Sequence, residues 1–70
     1  MTTKTDLDNW FSYHAPKGDQ ADRYTQIRAK AKEFAFLILD LTPGCADQTA
    51  ALRHLRETVY SANAAIACNE

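Results

Sequence analysis

The stretch Gln20–Leu41, QADRYTQIRAKAKEFAFLILDL, constrains this chain more than any other. Tyr24, Ile27, Ala31, Phe34, Ile38 and Leu41 recur at steps of three and four, the apolar stripe of a core-facing helix. The second half, Phe34-Ala35-Phe36-Leu37-Ile38-Leu39, is apolar on every side. A helix dry all round needs neighbours all round. One chain of 70 residues has few to offer, and a chain that short is marginal on its own. Disulfides, a metal or self-association are the usual remedies.

The first two remedies find no support. Cys45 and Cys68, placed on one helix, lie about 34 Å apart, whereas a disulfide needs Cα atoms within about 7 Å. Unpaired thiols fit a reducing cytoplasm. His14, His54 and the cysteines share no metal-ligand spacing. Met1–Asp8 is polar and lacks the apolar core of a signal peptide. The longest apolar run is six residues, too short to cross a membrane. Self-association is the remedy left. Phe34, Phe36, Leu37 and Leu39 are its expected surface, joined by Ala64 and Ala65 in the small-residue tail Ser61–Ala67.

Two glycines and two prolines in a chain rich in Ala, Leu, Thr and Arg indicate an all-α fold. The expected architecture is one helical domain over residues 1–70. It comprises a short arm over 3–12, a long helix over 20–41 and a second over 46–68. In the arm, Thr5 is a candidate N-cap, with Asp6 and Asp8 in the first turn and Leu7, Trp10 and Phe11 on the apolar side. Tyr13–Asp19 is a turn, in which Pro16 extends Ala15 and Gly18 permits positive φ. Asp19 is the expected cap of the long helix. Thr42-Pro43-Gly44 breaks that helix. The last helix carries the stripe Leu52, Leu55, Val59, Ala62 and Ile66. Two helices of similar length joined by a short break predict an antiparallel hairpin.

The chemistry expected of this chain is binding. There is no Ser/Cys–His–Asp pattern and no Gly-rich phosphate loop, and an enzyme is not expected. Net charge is −1, so no global field attracts polymeric nucleic acid, and any anion site must be local. On a helical wheel Arg28 and Lys32 flank one side of the long helix's stripe, and Arg23 and Lys30 flank the other. Such cations ordinarily snorkel to solvent. Here they follow the aromatic turn Trp10–His14, with only Asp19, Asp22 and Glu33 near in sequence. An aromatic face beside guanidinium and ammonium groups suits a nucleotide: the ring stacks the base and the cation holds the phosphate. On the last helix, Arg53, Arg56 and Tyr60 read as a solvated face, on which Glu57 can pair with Arg53 at i+4. Asn63, within a small apolar patch, needs a hydrogen-bond partner. It can set register between subunits or read a ligand.

These residues carry a resemblance. The turn Phe11-x-Tyr13-His14-x-Pro16 leads into Gln20-x-x-Arg23-Tyr24-x-x-Ile27-Arg28-x-x-Ala31-Lys32-x-x-Ala35. Gln48-x-x-Ala51-Leu52-x-x-Leu55 and the tail Ala62–Ala67 with Asn69-Glu70 follow. Over residues 11–70 the pattern resembles the phage anti-CBASS cyclic-oligonucleotide sponges, the second anti-CBASS family. The resemblance implies an interlocked helical homohexamer without catalysis or cofactor, acting in the cytoplasm of the infected bacterial host. It implies binding of cyclic dinucleotides such as 3′,3′-cyclic GMP–AMP and of cyclic trinucleotides such as cyclic tri-AMP. Sequestering the intact messenger would keep the CBASS effector switched off. It implies a dinucleotide pocket at Tyr13, Arg28, His14 and Lys32, and a trinucleotide pocket near Lys30, Asn63 and Arg23, both across subunit interfaces. The alternative is a small helical protein-interaction module with no nucleotide ligand. One departure is local: the family's Ser-x-x-Gln start of the last helix is here Cys45-Ala46-Asp47-Gln48. Cysteine caps poorly, so the cap is expected to weaken or to shift to Thr42 or Asp47.

Overall fold

The apolar periodicity is realised as helix alone: α1 (Lys4–Trp10), α2 (Gln20–Leu41) and α3 (Ala46–Asn69). The computed structural model describes all 70 residues. α2 and α3 form an antiparallel hairpin, and α1 folds back onto the far end of α3.

Capping decides the boundaries. α1 opens at Thr3, not at Thr5. The Thr3 hydroxyl accepts from the Asp6 N–H at 3.1 Å, and the Asp6 carboxylate accepts from the Thr3 N–H at 2.9 Å. This reciprocal capping box satisfies two backbone donors at once. A start at Thr5 would have left both unpaired. The helix ends at Trp10, so Phe11 and Ser12, which the expected arm included, lie beyond it. Asp19 stands at the N-cap of α2, but its side chain makes no cap bond and instead binds Arg23 Nε at 3.2 Å. Gln20 serves the turn: its Oε1 accepts from the Lys17 N–H at 3.1 Å. Gly18 takes φ +58, a conformation that costs an L side chain energy. Cys45 is the N-cap of α3 but offers no side-chain bond, and neither Thr42 nor Asp47 replaces it. Thr42 instead caps the end of α2, donating its own N–H and hydroxyl to the Ile38 carbonyl. Gln48 Nε2 then reaches back to the Thr42 carbonyl at 3.1 Å and pins the turn.

The seam of the hairpin departs from the expected stripe at one row. On α3, Leu52, Leu55, Val59, Ala62 and Ile66 form the inner row. On α2 the inner row is Tyr24, Ile27, Ala31, Ala35 and Ile38, while Phe34 is 54 % exposed and Leu41 74 %. Steps of four along the middle of α2 bring a small Ala35 to the seam, and small residues let two helices approach closely. The larger Phe34 is turned outward.

The result is a protomer with almost no interior. Gln20 and Ile66 alone are buried. Phe34, Phe36, Leu37 and Leu39 are each more than half exposed, and Ala64 and Ala65 are exposed towards the other end of the hairpin. The Cα radius of gyration is 15.1 Å, against about 11 Å for a compact domain of this length. The accessible surface is 5679 Å², against about 4,400 Å² for a compact monomer of this mass. The excess exceeds the roughly 800 Å² that one partner contributes to a standard interface.

Replacing the poor cap should stabilise the chain. Cys45→Ser supplies an oxygen to the first free N–H groups of α3 and should add about 1 kcal/mol. It should be read as a raised melting temperature at fixed protein concentration, because self-association makes Tm concentration-dependent. An unchanged melt would show that this helix start does not limit stability.

Candidate functional site

The hairpin sorts the cations of α2 onto two sides. On one side Arg28 and Lys32 face Arg56 and Tyr60 of α3 across an open groove of about 490 Å³, with Leu52, Leu55 and Val59 along the floor. On the other side Lys30 borders a groove of about 450 Å³ with Gln26, Phe34 and Thr58. A third, more polar cavity of about 270 Å³ lies where the arm, the turn and the end of α3 meet, and Tyr13, His14, Lys17, Gln20 and Glu70 line it.

Ion pairing distinguishes these cations sharply. Arg23 is held by Glu70 through both terminal guanidinium nitrogens, one contact measuring 2.8 Å, and by Asp19 through Nε. Lys30 pairs with Glu33 at 3.1 Å. Arg28, Lys32 and Arg56 have no carboxylate partner; the one further carboxylate contact to a basic side chain joins His54 Nδ1 to Glu57 at 3.5 Å. Glu57 therefore serves His54 rather than Arg53, one helical step nearer. Arg28 reaches the Thr25 hydroxyl only at 3.5 Å. Arg56 donates to the Tyr60 hydroxyl at 2.9 Å and lies 5.9 Å from the ring centroid.

The polar end is a hydrogen-bonded knot. Asn9 Nδ2 donates to the Cys68 carbonyl at 2.8 Å, which fastens α1 to α3. His14 Nε2 lies 2.7 Å from the Asn9 carbonyl. A carbonyl can only accept, so Nε2 carries the proton. Gln20 Nε2 and Lys17 Nζ both donate to Glu70, to its carboxylate at 3.3 Å and its backbone carbonyl at 3.1 Å. The Arg23 hydrogen bond, followed by that of Gln20, pulls the Glu70 carboxyl down to about 2. Glu70, and after it Asp19, raises the Arg23 guanidinium above its usual value.

The site residues read from the sequence thus fall into separate places. Tyr13 and His14 share the polar cavity. Arg28 and Lys32 share the cationic groove. The two pairs share no cavity within one protomer. Lys30 lies on the opposite side, and Arg23 is engaged in the knot. Asn63 is half-buried, and its Oδ1 is enclosed without a donor. Arg56 and Tyr60 read in sequence as a solvated face; only the register of the hairpin sets them opposite Arg28. Their spacing of four was the available signal. No group of three or more His, Cys, Asp or Glu is placed to hold a metal, and no helix is long and apolar enough to cross a membrane.

What the fold and the groove define is a helical hairpin with an uncompensated cationic face. Residues 3–67 match the family model described as Acb2/Tad1, hairpin domain. The chain belongs to that family, the anti-CBASS sponges that the turn and helix motifs resemble. Searches among curated proteins and among solved structures gave no match.

The knot has a defined acid limit. The Glu70 carboxyl sits at about 2 rather than 4.5, so its contribution is complete above pH 4.5. As pH falls through 2 it is lost, because the folded state binds its proton later than the unfolded one. The carboxyl carbon shift of Glu70, followed by NMR, should titrate near 2 and return towards 4.5 in Arg23→Gln. A normal titration in the parent chain would show that the Arg23–Glu70 pair does not persist in solution.

Proposed function

We propose that this protein is a phage immune-evasion sponge that binds cyclic dinucleotides and cyclic trinucleotides and withholds them, intact, from the CBASS effector in the cytoplasm of the infected host. The observation that carries this reading is the match to the sponge family over residues 3–67, borne by a chain whose Arg28–Lys32 flank has no carboxylate partner. An anion in that position removes an unbalanced charge that the protomer cannot neutralise from within.

In the dinucleotide pocket Tyr13 stacks a base and Arg28 holds a phosphate, with His14 and Lys32 beside them. Tyr13 is 87 % exposed and shares no cavity with Arg28 in one protomer, so the pocket is completed by a second copy. A homohexamer supplies such copies, and its contact surface is Phe34, Phe36, Leu37, Leu39, Ala64 and Ala65. The exposure of those residues and the surplus surface support it. Symmetry then multiplies the charge around a ring-shaped anion. The trinucleotide pocket is assigned to Lys30 and Asn63. Arg23 lies at its edge and must release Glu70 before it can touch ligand.

Calorimetry against 3′,3′-cyclic GMP–AMP and cyclic tri-AMP tests the reading; no heat with either ligand overturns it. Tyr13→Ala should abolish dinucleotide binding and leave a monodisperse species of six times 7.8 kDa in sedimentation. If the variant falls apart instead, Tyr13 is a packing residue. A parent chain that sediments as a sticky monomer or dimer and binds neither nucleotide is a protein-interaction module.

A further inference from the structure

We infer that Arg56 and Tyr60 form the second wall of the Arg28–Lys32 groove, Arg56 as a further phosphate ligand and Tyr60 as a stacking surface for a base of the cyclic oligonucleotide. The inference rests on the reading of Arg28 as a phosphate cation given above.

Three observations converge on it. The first is charge. Arg28, Lys32 and Arg56 rim one groove, no acidic residue lines it, and none of the three has a carboxylate partner. In a chain of net charge −1, three unbalanced cations on one groove make a local field that calls for an anion. The second is shape. A volume of about 490 Å³ falls within the range of small-molecule clefts, and its floor of Leu52, Leu55 and Val59 accepts the apolar faces of a base or ribose. The third is preorganisation. The Tyr60 hydroxyl holds the Arg56 guanidinium at 2.9 Å, which orients a group whose rotamer entropy would otherwise oppose binding. Tyr60 is 59 % exposed and lines the groove with Arg56 over its ring, an arrangement in which exposed aromatic surface can stack a base.

The groove of a second copy is a poorer occupant. It would bring the same three cations against themselves, and like charges in contact are destabilising. A phosphodiester anion carrying flat bases matches the rim and the floor together.

The test is calorimetry with 3′,3′-cyclic GMP–AMP on the parent chain and on Arg28→Gln, Arg56→Gln, Arg56→Lys, Tyr60→Phe and Tyr60→Ala, with sedimentation of each. Arg56→Gln should weaken binding by about tenfold or more, the loss of one charge-assisted contact, without changing the assembly. Tyr60→Phe keeps the ring and should bind better than Tyr60→Ala, which should lose between about fivefold and a hundredfold. Parent-like affinity in both Arg56→Gln and Tyr60→Ala, with binding lost in Arg28→Gln, overturns the inference and leaves the sponge reading intact. Absence of binding in the parent chain overturns both. If Arg56→Gln disrupts the assembly, Arg56→Lys decides. Weakened binding by an intact assembly supports a bidentate phosphate contact, and unchanged binding makes Arg56 a packing residue.

Discussion

A two-helix hairpin has a seam but no interior, and the rest of this structure follows from that shortage. Each helix offers the other one row of side chains. The row on α3 is Leu52, Leu55, Val59, Ala62 and Ile66, and even there Ile66 alone is buried. At about 25 cal/mol per Å² of apolar surface removed from water, half-exposed phenylalanines and leucines contribute little to folding. They are surface awaiting a partner. The protomer therefore holds its shape by polar contacts outside the seam: a capping box at Thr3, a glutamine that pins the turn at Thr42, and the long-range knot around Glu70.

Polar and apolar tasks are divided along the long axis of the molecule, which extends 43 Å. One end carries the arm, the Pro16–Gly18 turn and the Arg23–Glu70 pair. The other end carries Phe36, Leu39 and Leu41. Between them lies the cationic groove. A second division, across the hairpin rather than along it, sorts the charges of α2. Arg23 and Lys30 are neutralised within the chain, and Arg28 and Lys32 are left free. Helical periodicity put both pairs on flanks of the seam. The distribution of acids on α2 and of Glu70 across the hairpin decided which flank stayed charged.

What could be read from the sequence was whatever depends on neighbours within one or two turns. The three helices, the Pro43–Gly44 break and the α3 stripe all belong to that class. Two local readings differ from the structure: the Thr3–Asp6 capping box sets the start of α1, and Glu57 contacts His54 rather than Arg53. The choice of Ala35 over Phe34 at the seam needed the helix-packing angle, which periodicity does not contain. The knot joins Arg23 to a residue 47 positions away, and no spacing rule spans that distance. The placing of Arg56 and Tyr60 opposite Arg28 needed the hairpin register, which the Thr42–Cys45 turn sets. The family pattern named Tyr13 and Arg28 without their geometry, and the fold places them in different cavities of one chain.

The enclosed Asn63 carbonyl oxygen has a consequence for how selective this molecule can be. A buried acceptor without a donor costs on the order of 1–3 kcal/mol, and Asn63 Oδ1, in the small-residue part of α3, has no donor within the protomer. Whatever brings an N–H or O–H to this oxygen recovers the cost at once. Whatever closes over the site with a methyl group makes it permanent. The two differ by a factor of roughly 5 to 150 in equilibrium constant. One amide oxygen thus favours any arrangement that brings it a donor over an equally close-packed one that does not.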